Sequence, residues 1–110
     1  MPITLSQVPV ISAGDTEVLA VDFTDQLDSG ELLTGTPTIV EVTTTALTLA
    51  SKAVSTAALV IDGRTVAIGM AVQCKVSGQV ASNTYRIRIT VSTNATLART
   101  FVRDATFSAI

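Results

Sequence analysis

Histidine and tryptophan are absent from this chain of 110 residues, and cysteine occurs once, at Cys74. Without histidine, the chain cannot build a Ser-His-Asp or Cys-His nucleophile or a histidine-ligated metal site. A single cysteine forms neither an intramolecular disulfide nor a thiolate metal site. Because Cys74 alternates in phase with Val72 and Val76, the pattern predicts a small core side chain at this position. We therefore expect no catalytic residues, no metal and no cofactor, and the protein is predicted not to be an enzyme.

Aromatic residues are also scarce, at 4% of the chain, whereas hydrophobic residues of all kinds make up 47%. Small and branched aliphatic side chains must therefore fill the core. The sequence contains 18 Thr, 14 Val and 14 Ala. Branching at Cβ makes threonine and valine favour strands over helices. Since a chain of this length suits one domain, the composition predicts a single β-rich domain.

Basic residues are missing from the first part of the chain, where none precedes Lys52. The N-terminal segment therefore lacks the charged head of a signal peptide. No uninterrupted apolar stretch reaches the ~18 residues of a membrane-spanning helix. We expect synthesis in the cytoplasm and no contact with a membrane.

Charge is divided unevenly along the chain. Residues 1–51 hold seven acidic and no basic residues, for a net charge of −7, and residues 52–110 hold seven basic and two acidic residues, for +5. The sum of −2 disfavours a nucleic-acid-binding protein, which normally has a dominant basic surface. Two explanations remain open: the halves pair within the fold, or acidic and basic patches meet between neighbouring copies.

Apolar and polar residues alternate with a period of two along much of the chain, a pattern typical of half-buried strands. Strands of this kind are predicted at 17–24, 38–44, 47–49, 56–61, 65–68, 70–76, 84–92 and 96–107. Asp62-Gly63 is a strong hairpin-turn dipeptide, and the adjacent large residues Phe101 and Val102 suggest a β-bulge. Ala20 and Ala71 are out of phase with the strand residues predicted to face the core, and are expected on the outer faces.

About seven short strands at this spacing predict an antiparallel β-sandwich domain over residues 15–110. Within it, residues 46–60 contain enough alanine for a short helix, but their threonine and serine residues favour strand and loop. Residues 1–14 contain Pro2 and Pro9, so they are predicted to form an edge strand or an extended N-terminal arm.

Two groups of charged residues are the candidates for partner binding. The acidic group matches no calcium-loop spacing, so a solvated loop is favoured over a hard-cation site. Its members are Asp22, Asp25, Asp28 and Glu31. The basic group would share one hairpin if the chain turns near Asn94, and arginine is the favoured charged residue at interfaces. Its members are Arg86, Arg88, Arg99 and Arg103.

From about Asp15 to Phe107 the chain resembles the small immunoglobulin-like domains of tailed bacteriophages grouped as phage fiber-tail adaptor-like proteins. The residues that carry the resemblance are EVLAVDF (Glu17–Phe23), SGQVASNTYRIRITVST (Ser77–Thr93) and RTFVR (Arg99–Arg103). Tyr85 occupies the position of a tyrosine corner, whose hydroxyl reaches the backbone. Phe23 replaces the tryptophan of many related sequences, and Asn94 stands near the turn where they have glycine.

The resemblance implies an immunoglobulin-like β-sandwich that serves as a structural virion protein in many copies. As an adaptor, it would sit on the tail or neck of the phage and seat fibres. As a decoration protein, it would instead cap the capsid lattice, and a third alternative is a module that binds host-surface glycan. The expected partners are other virion proteins and further copies of the chain, with no nucleic acid and no membrane.

Overall fold

The computed structural model of the protein describes residues 4–5, 10–43, 47–61 and 63–110. Within these residues the chain forms ten β-strands, one 3-10 turn at Thr24–Gln26 and no α-helix. The strands are β1 (Thr4–Leu5), β2 (Val10–Ile11), β3 (Glu17–Asp22), β4 (Leu33–Glu41), β5 (Thr48–Val54), β6 (Leu59–Ile61), β7 (Arg64–Val66), β8 (Ala71–Ser77), β9 (Thr84–Thr93) and β10 (Thr100–Ala109). The predicted all-β class is therefore confirmed, with strand in place of the possible helix at β5.

Two four-stranded sheets form the sandwich. The first sheet has the strand order β1-β3-β8-β5, and the second sheet has the order β2-β10-β9-β4. The N-terminal segment contributes to both, because β1 pairs antiparallel with β3 and β2 pairs parallel with β10. The described part of the predicted arm thus lies at the edges of the two sheets, and its residues 1–3 and 6–9 fall outside the described residues.

The core lies between the sheets and is built from the alternating apolar residues of both. All four aromatic rings of the chain are buried in it. Phe23 stacks on Phe101 with 6.1 Å between ring centroids, and Tyr85 stacks on Phe107 at 5.5 Å. Cys74 is also buried, as predicted, and burial raises the pKa of its thiol to about 11. The core is therefore mainly aliphatic, and its four aromatic rings are arranged as two stacked pairs.

The corner before β9 is fixed by Tyr85. Its ring is buried, and its hydroxyl oxygen accepts a hydrogen bond of 2.8 Å from the backbone N–H of Val80, five residues upstream. Asn83 also closes this corner, since its side-chain amide donates to the carbonyl of Val80 at 3.3 Å. The hydroxyl of Tyr85 therefore reaches the upstream backbone, as expected for this position.

Replacing Tyr85 with phenylalanine keeps the ring and leaves the N–H of Val80 without its acceptor. An unmade hydrogen bond of this kind should lower the free energy of unfolding by about 1–3 kcal/mol. The matched control is Asn83→Ala, which removes an exposed bond of the same corner and should change stability by less than ~0.5 kcal/mol. Urea unfolding of both variants measures the difference, and equal losses would contradict the role given to the hydroxyl.

The predicted β-bulge at Phe101 and Val102 is wrong. β9 and β10 pair without a register shift from Thr100 opposite Ser92 to Ser108 opposite Thr84. Phe101 points into the core, and the neighbouring Val102 points outward and is half exposed. Register shifts occur instead in β4, between residues 34 and 38, and in β5, between residues 50 and 53.

A small hairpin of β6 and β7 covers part of the outer face of the first sheet. The predicted hairpin therefore forms, although Asp62 of its turn lies outside the described residues. Ile61 and Val66 of the hairpin form a second apolar cluster with Ala20 of β3 and Ala71 of β8. Ala20 and Ala71 thus lie on the outer face, as expected, but they are buried there because the hairpin folds over them.

Candidate partner-binding surfaces

Asp22 and Asp25 of the acidic group pair with Arg64 inside the same chain. One carboxylate oxygen of Asp22 accepts hydrogen bonds from the N–H and the hydroxyl of Thr24, the first residue of the 3-10 turn, at 2.8 and 2.5 Å. The guanidinium of Arg64 lies 3.7 Å from the other oxygen of Asp22 and 3.2 Å from Asp25. The carboxylates thus anchor the β6–β7 hairpin to the end of β3.

Glu31 and Arg99 form a second ion pair, in which the carboxylate side chain is only 4% exposed. Arg99 donates from Nε to Oε2 of Glu31 at 3.2 Å and from Nη2 to Oε1. The same Nη2 donates to the carbonyl of Gln26 at 2.9 Å and lies 3.6 Å from the carboxylate of Asp28. The side-chain bonds from Arg99 and the backbone bond from Asp28 lower the pKa of Glu31 from its ordinary value of 4.5 to about 2.

The turn between β9 and β10 is fastened at its base by this pair and by Asn94. The side-chain oxygen of Asn94 accepts from the N–H of Leu32 at 2.9 Å, and the N–H of Asn94 donates to the carbonyl of Leu32 at 2.9 Å. Across the turn, Thr93 donates its N–H to the carbonyl of Arg99 at 2.9 Å and accepts the N–H of Arg99 at its hydroxyl, at 3.1 Å. Asn94 serves the turn through its side chain, without the positive φ of a glycine.

The four arginines of the basic group do not share one face. Arg86 and Arg88 project from β9 on the outer side of the second sheet, whereas Arg99 lies at the β3–β4 loop. The guanidinium of Arg103 lies 5.4 Å from the centroid of the Phe101 ring and donates to a neighbouring carbonyl. The structure therefore brings together Arg86 and Arg88 and separates the other two.

Arg88 is paired on this outer side and Arg86 is not. Arg88 donates two hydrogen bonds to the carboxylate of Asp104, at 2.8 and 3.1 Å, and these bonds lower the pKa of Asp104. Arg86 makes no ion pair with any described residue. On the outer side of the second sheet, Arg86 is thus the guanidinium without an ion-pair partner among the described residues, although its charge also helps to lower the pKa of Asp104.

Exposed valines surround these arginines on the outer side of the second sheet. Val40 is aligned with Arg88 and Asp104, and Val102 is aligned with Thr90 and Thr38 across the strands. We call this surface the open face. Its residues are Val10, Thr38, Val40, Val42, Arg86, Arg88, Thr90, Val102, Asp104 and Thr106. In contrast to the first sheet, no described hairpin covers it, so aliphatic side chains and one unpaired cation face the solvent.

The other candidate surface is at one end of the sandwich and is called the loop end. It consists of the β3–β4 loop, residues 23–32, and the β9–β10 turn, residues 94–99. Between residues 28–31 and 94–96 lies a cleft of about 300 Å³. The tip of the turn carries Leu97, whose side chain is exposed.

No protein-family model, curated protein or solved structure matches this chain. In the part of the chain that the structure describes, no helix has the length and apolarity to cross a membrane. The same residues contain no group of three or more His, Cys, Asp or Glu side chains placed to hold a metal ion.

The sequence alone does not indicate three of the features described above. Arg64 was not associated with the acidic loop, although the two are within reach in the fold. The exposed valines of the open face belong mostly to strands that the alternation predicts. Residue type alone, however, does not distinguish a valine that points outward from one that points into the core. Leu97 lies in a turn of mostly polar residues, and only the structure shows that its side chain is exposed at the tip.

Proposed function

We propose that the protein is a structural virion protein of a tailed bacteriophage, a multi-copy immunoglobulin-like module that acts as an adaptor on the tail or neck and seats fibres. The observation that carries the proposal is the hydrogen bond between Tyr85 and the backbone of Val80. Immunoglobulin-like sandwiches characteristically have a tyrosine near the start of strand F whose hydroxyl bonds to the upstream backbone. It lies within the segment on which the resemblance to the phage adaptor family rests.

The strand order supports the same assignment. Immunoglobulin-like sandwiches place strands A, B, E and D in one sheet and C, F and G in the other. When β1, β3, β4, β5, β8, β9 and β10 are lettered A to G in chain order, the two sheets become A-B-E-D and G-F-C. β2 then continues strand A into the second sheet, and the β6–β7 hairpin is an insertion between strands D and E.

The open face is the surface that we assign to the contact with other virion proteins. Interfaces commonly combine apolar area with arginine, and the open face offers exposed valines beside Arg86 and Arg88. Three carboxylates of the acidic group are less suited to this role, because Asp22 and Asp25 already pair with Arg64. Glu31 is likewise paired, with Arg99. A glycan-binding role is disfavoured because all four aromatic rings are buried, which leaves none to stack on a sugar.

The double variant Arg86→Ala, Arg88→Ala tests this contact. Truncating charged groups that become buried in an interface should lower occupancy on virions assembled without the native protein by more than about tenfold at equal concentration. The fold should survive, because Arg86 and Arg88 are exposed. Circular dichroism checks the fold, and quantitative mass spectrometry of purified virions measures occupancy.

The matched control is Lys52→Ala, Lys75→Ala, which removes the same charge from the first sheet. We expect this control variant to fill virions normally. Full occupancy by the Arg86 and Arg88 variant would contradict the assigned contact.

Localising a labelled protein on the virion separates the adaptor role from capsid decoration. Signal at the tail or neck supports the proposal, and signal spread over the capsid replaces it with decoration.

A further inference from the structure

Leu97 at the tip of the loop end is the most exposed of the large apolar side chains that the structure describes, at 86%. A single exposed leucine is ordinary on a protein surface. What distinguishes Leu97 is that the turn bearing it is held on both sides by side chains. Asn94 bonds to the backbone of Leu32 before the tip, and Arg99 bonds to Glu31 after it.

These bonds hold the base of the turn, and so restrict the tip, before any partner arrives. Ordering a flexible loop on binding costs free energy, and a loop already held in place avoids much of that cost. The hydrogen bonds between Thr93 and Arg99 close the base of the turn as well. Leu97 is therefore an exposed apolar side chain on a short turn whose base is held in place.

The cleft beside the tip has an excess of negative charge. Asp28, Glu31 and Arg99 contribute two carboxylates and one guanidinium, for a local charge of −1. The carboxylate of Asp28 is 83% exposed, so it is available to a second cation. A volume of about 300 Å³ has room for a guanidinium group.

The open face has the chemistry that this end requires. Its exposed valines, Val40, Val42 and Val102, offer an apolar seat for a leucine. Arg86 adjoins them, since its backbone carbonyl accepts the N–H of Val42 at 2.9 Å, and it makes no ion pair with any described residue. The loop end thus presents an exposed leucine beside an accessible carboxylate. The open face presents exposed valines beside an accessible guanidinium, so the two surfaces are complementary.

We propose that the loop end of one copy docks on the open face of a second copy, with Leu97 among the valines and Arg86 in the cleft beside Asp28. The inference rests on the proposed function in that it uses the same face and names its occupant. Because the two surfaces are different and lie on the same chain, the contact is heterologous. Such a contact repeats from copy to copy and closes into a ring or extends as a filament.

Sedimentation velocity of the purified protein over a concentration series at low salt tests the proposal. We expect the wild type to form species larger than a dimer, and Leu97→Ser and Arg86→Glu each to weaken association by about tenfold or more. Higher salt should weaken the wild-type association, since one part of the contact is an ion pair. Val18→Ser is the control, because it removes an exposed valine from the first sheet and should leave association unchanged.

Mixing the two deficient variants gives the sharpest result. Leu97→Ser keeps a functional open face and Arg86→Glu keeps a functional loop end, so together they should form a heterodimer that grows no further. Monomeric wild type at every concentration, association that survives Leu97→Ser, or a mixture without heterodimer would overturn the proposal. A monomer that still needs Arg86 and Arg88 for virion occupancy would refute the self-contact alone, whereas self-association with full occupancy of the double variant would refute only the virion contact.

Discussion

Replacing Phe23 with alanine is expected to lower the free energy of unfolding by about 3–5 kcal/mol, the usual loss for a large buried aromatic side chain. Phe23 is fully buried, and its ring stacks on Phe101 with 6.1 Å between centroids. Phe23 follows β3 of the first sheet and Phe101 belongs to β10 of the second. Removing the ring therefore leaves a cavity between the sheets at the end that supports the β3–β4 loop.

Val18→Ala is the matched control for Phe23→Ala. Val18 belongs to β3 as well, but its side chain points outward and is 51% exposed. The control should change the free energy of unfolding by no more than ~0.5 kcal/mol. Urea titrations of both variants give the comparison. A loss for Phe23→Ala as small as that of the control would mean that Phe23 does not occupy the core.

Replacing Arg99 with alanine should destabilise the fold at neutral pH more than Arg88→Ala does. The first change leaves the buried carboxylate of Glu31 without its guanidinium, and an unpaired buried charge is strongly unfavourable. Arg88 pairs with Asp104 at the surface, where losing a partner costs little. Thermal unfolding of the two variants ranks them, and the opposite order would contradict the importance given to the Glu31–Arg99 pair.

The pH dependence of stability reports on the same pair. The pKa of Glu31 falls from 4.5 to about 2 on folding, so the ionised carboxylate favours the folded state. That contribution is complete above pH 4.5 and is lost as the pH falls toward 2. We expect wild-type stability to decline over this range and Glu31→Gln to decline less. Asp104, whose pKa is also lowered, titrates in both proteins, so the difference between their urea curves isolates Glu31.

The strands could be predicted from the sequence because each half-buried strand repeats its pattern locally. In β9, Tyr85, Ile87 and Ile89 face the core of the sandwich, as their alternation indicates. The same logic produced the wrong bulge at Phe101 and Val102. The alternation rule expects a polar residue at each outward position, so an outward valine beside a core phenylalanine looks like a shift in the strand. The outer side of this sheet in fact carries apolar residues without any shift.

Other features depend on contacts between distant parts of the chain. Ala71 is fully buried because the β6–β7 hairpin folds back over β8, and no local pattern in β8 encodes that cover. Glu31 and Arg99 are 68 residues apart in the sequence. The unequal charge of the two halves indicated that they could pair within the fold, but only the three-dimensional arrangement specifies which residues do so.

The parallel pairing of β2 with β10 has a mechanical consequence. Val10 and Ile11 lie beside Ser108 and Ala109 and run in the same direction. The contact continues as Ile110 donates to the carbonyl of Ile11 at 3.0 Å and Ala13 donates to that of Ile110 at 2.8 Å. A force that pulls residue 10 and residue 110 apart acts along these strands and loads all of the bonds in shear at once, whereas a hairpin peeled from its open end loses its bonds one by one. Tension applied between β2 and β10 therefore meets the greatest resistance that their short set of hydrogen bonds can give.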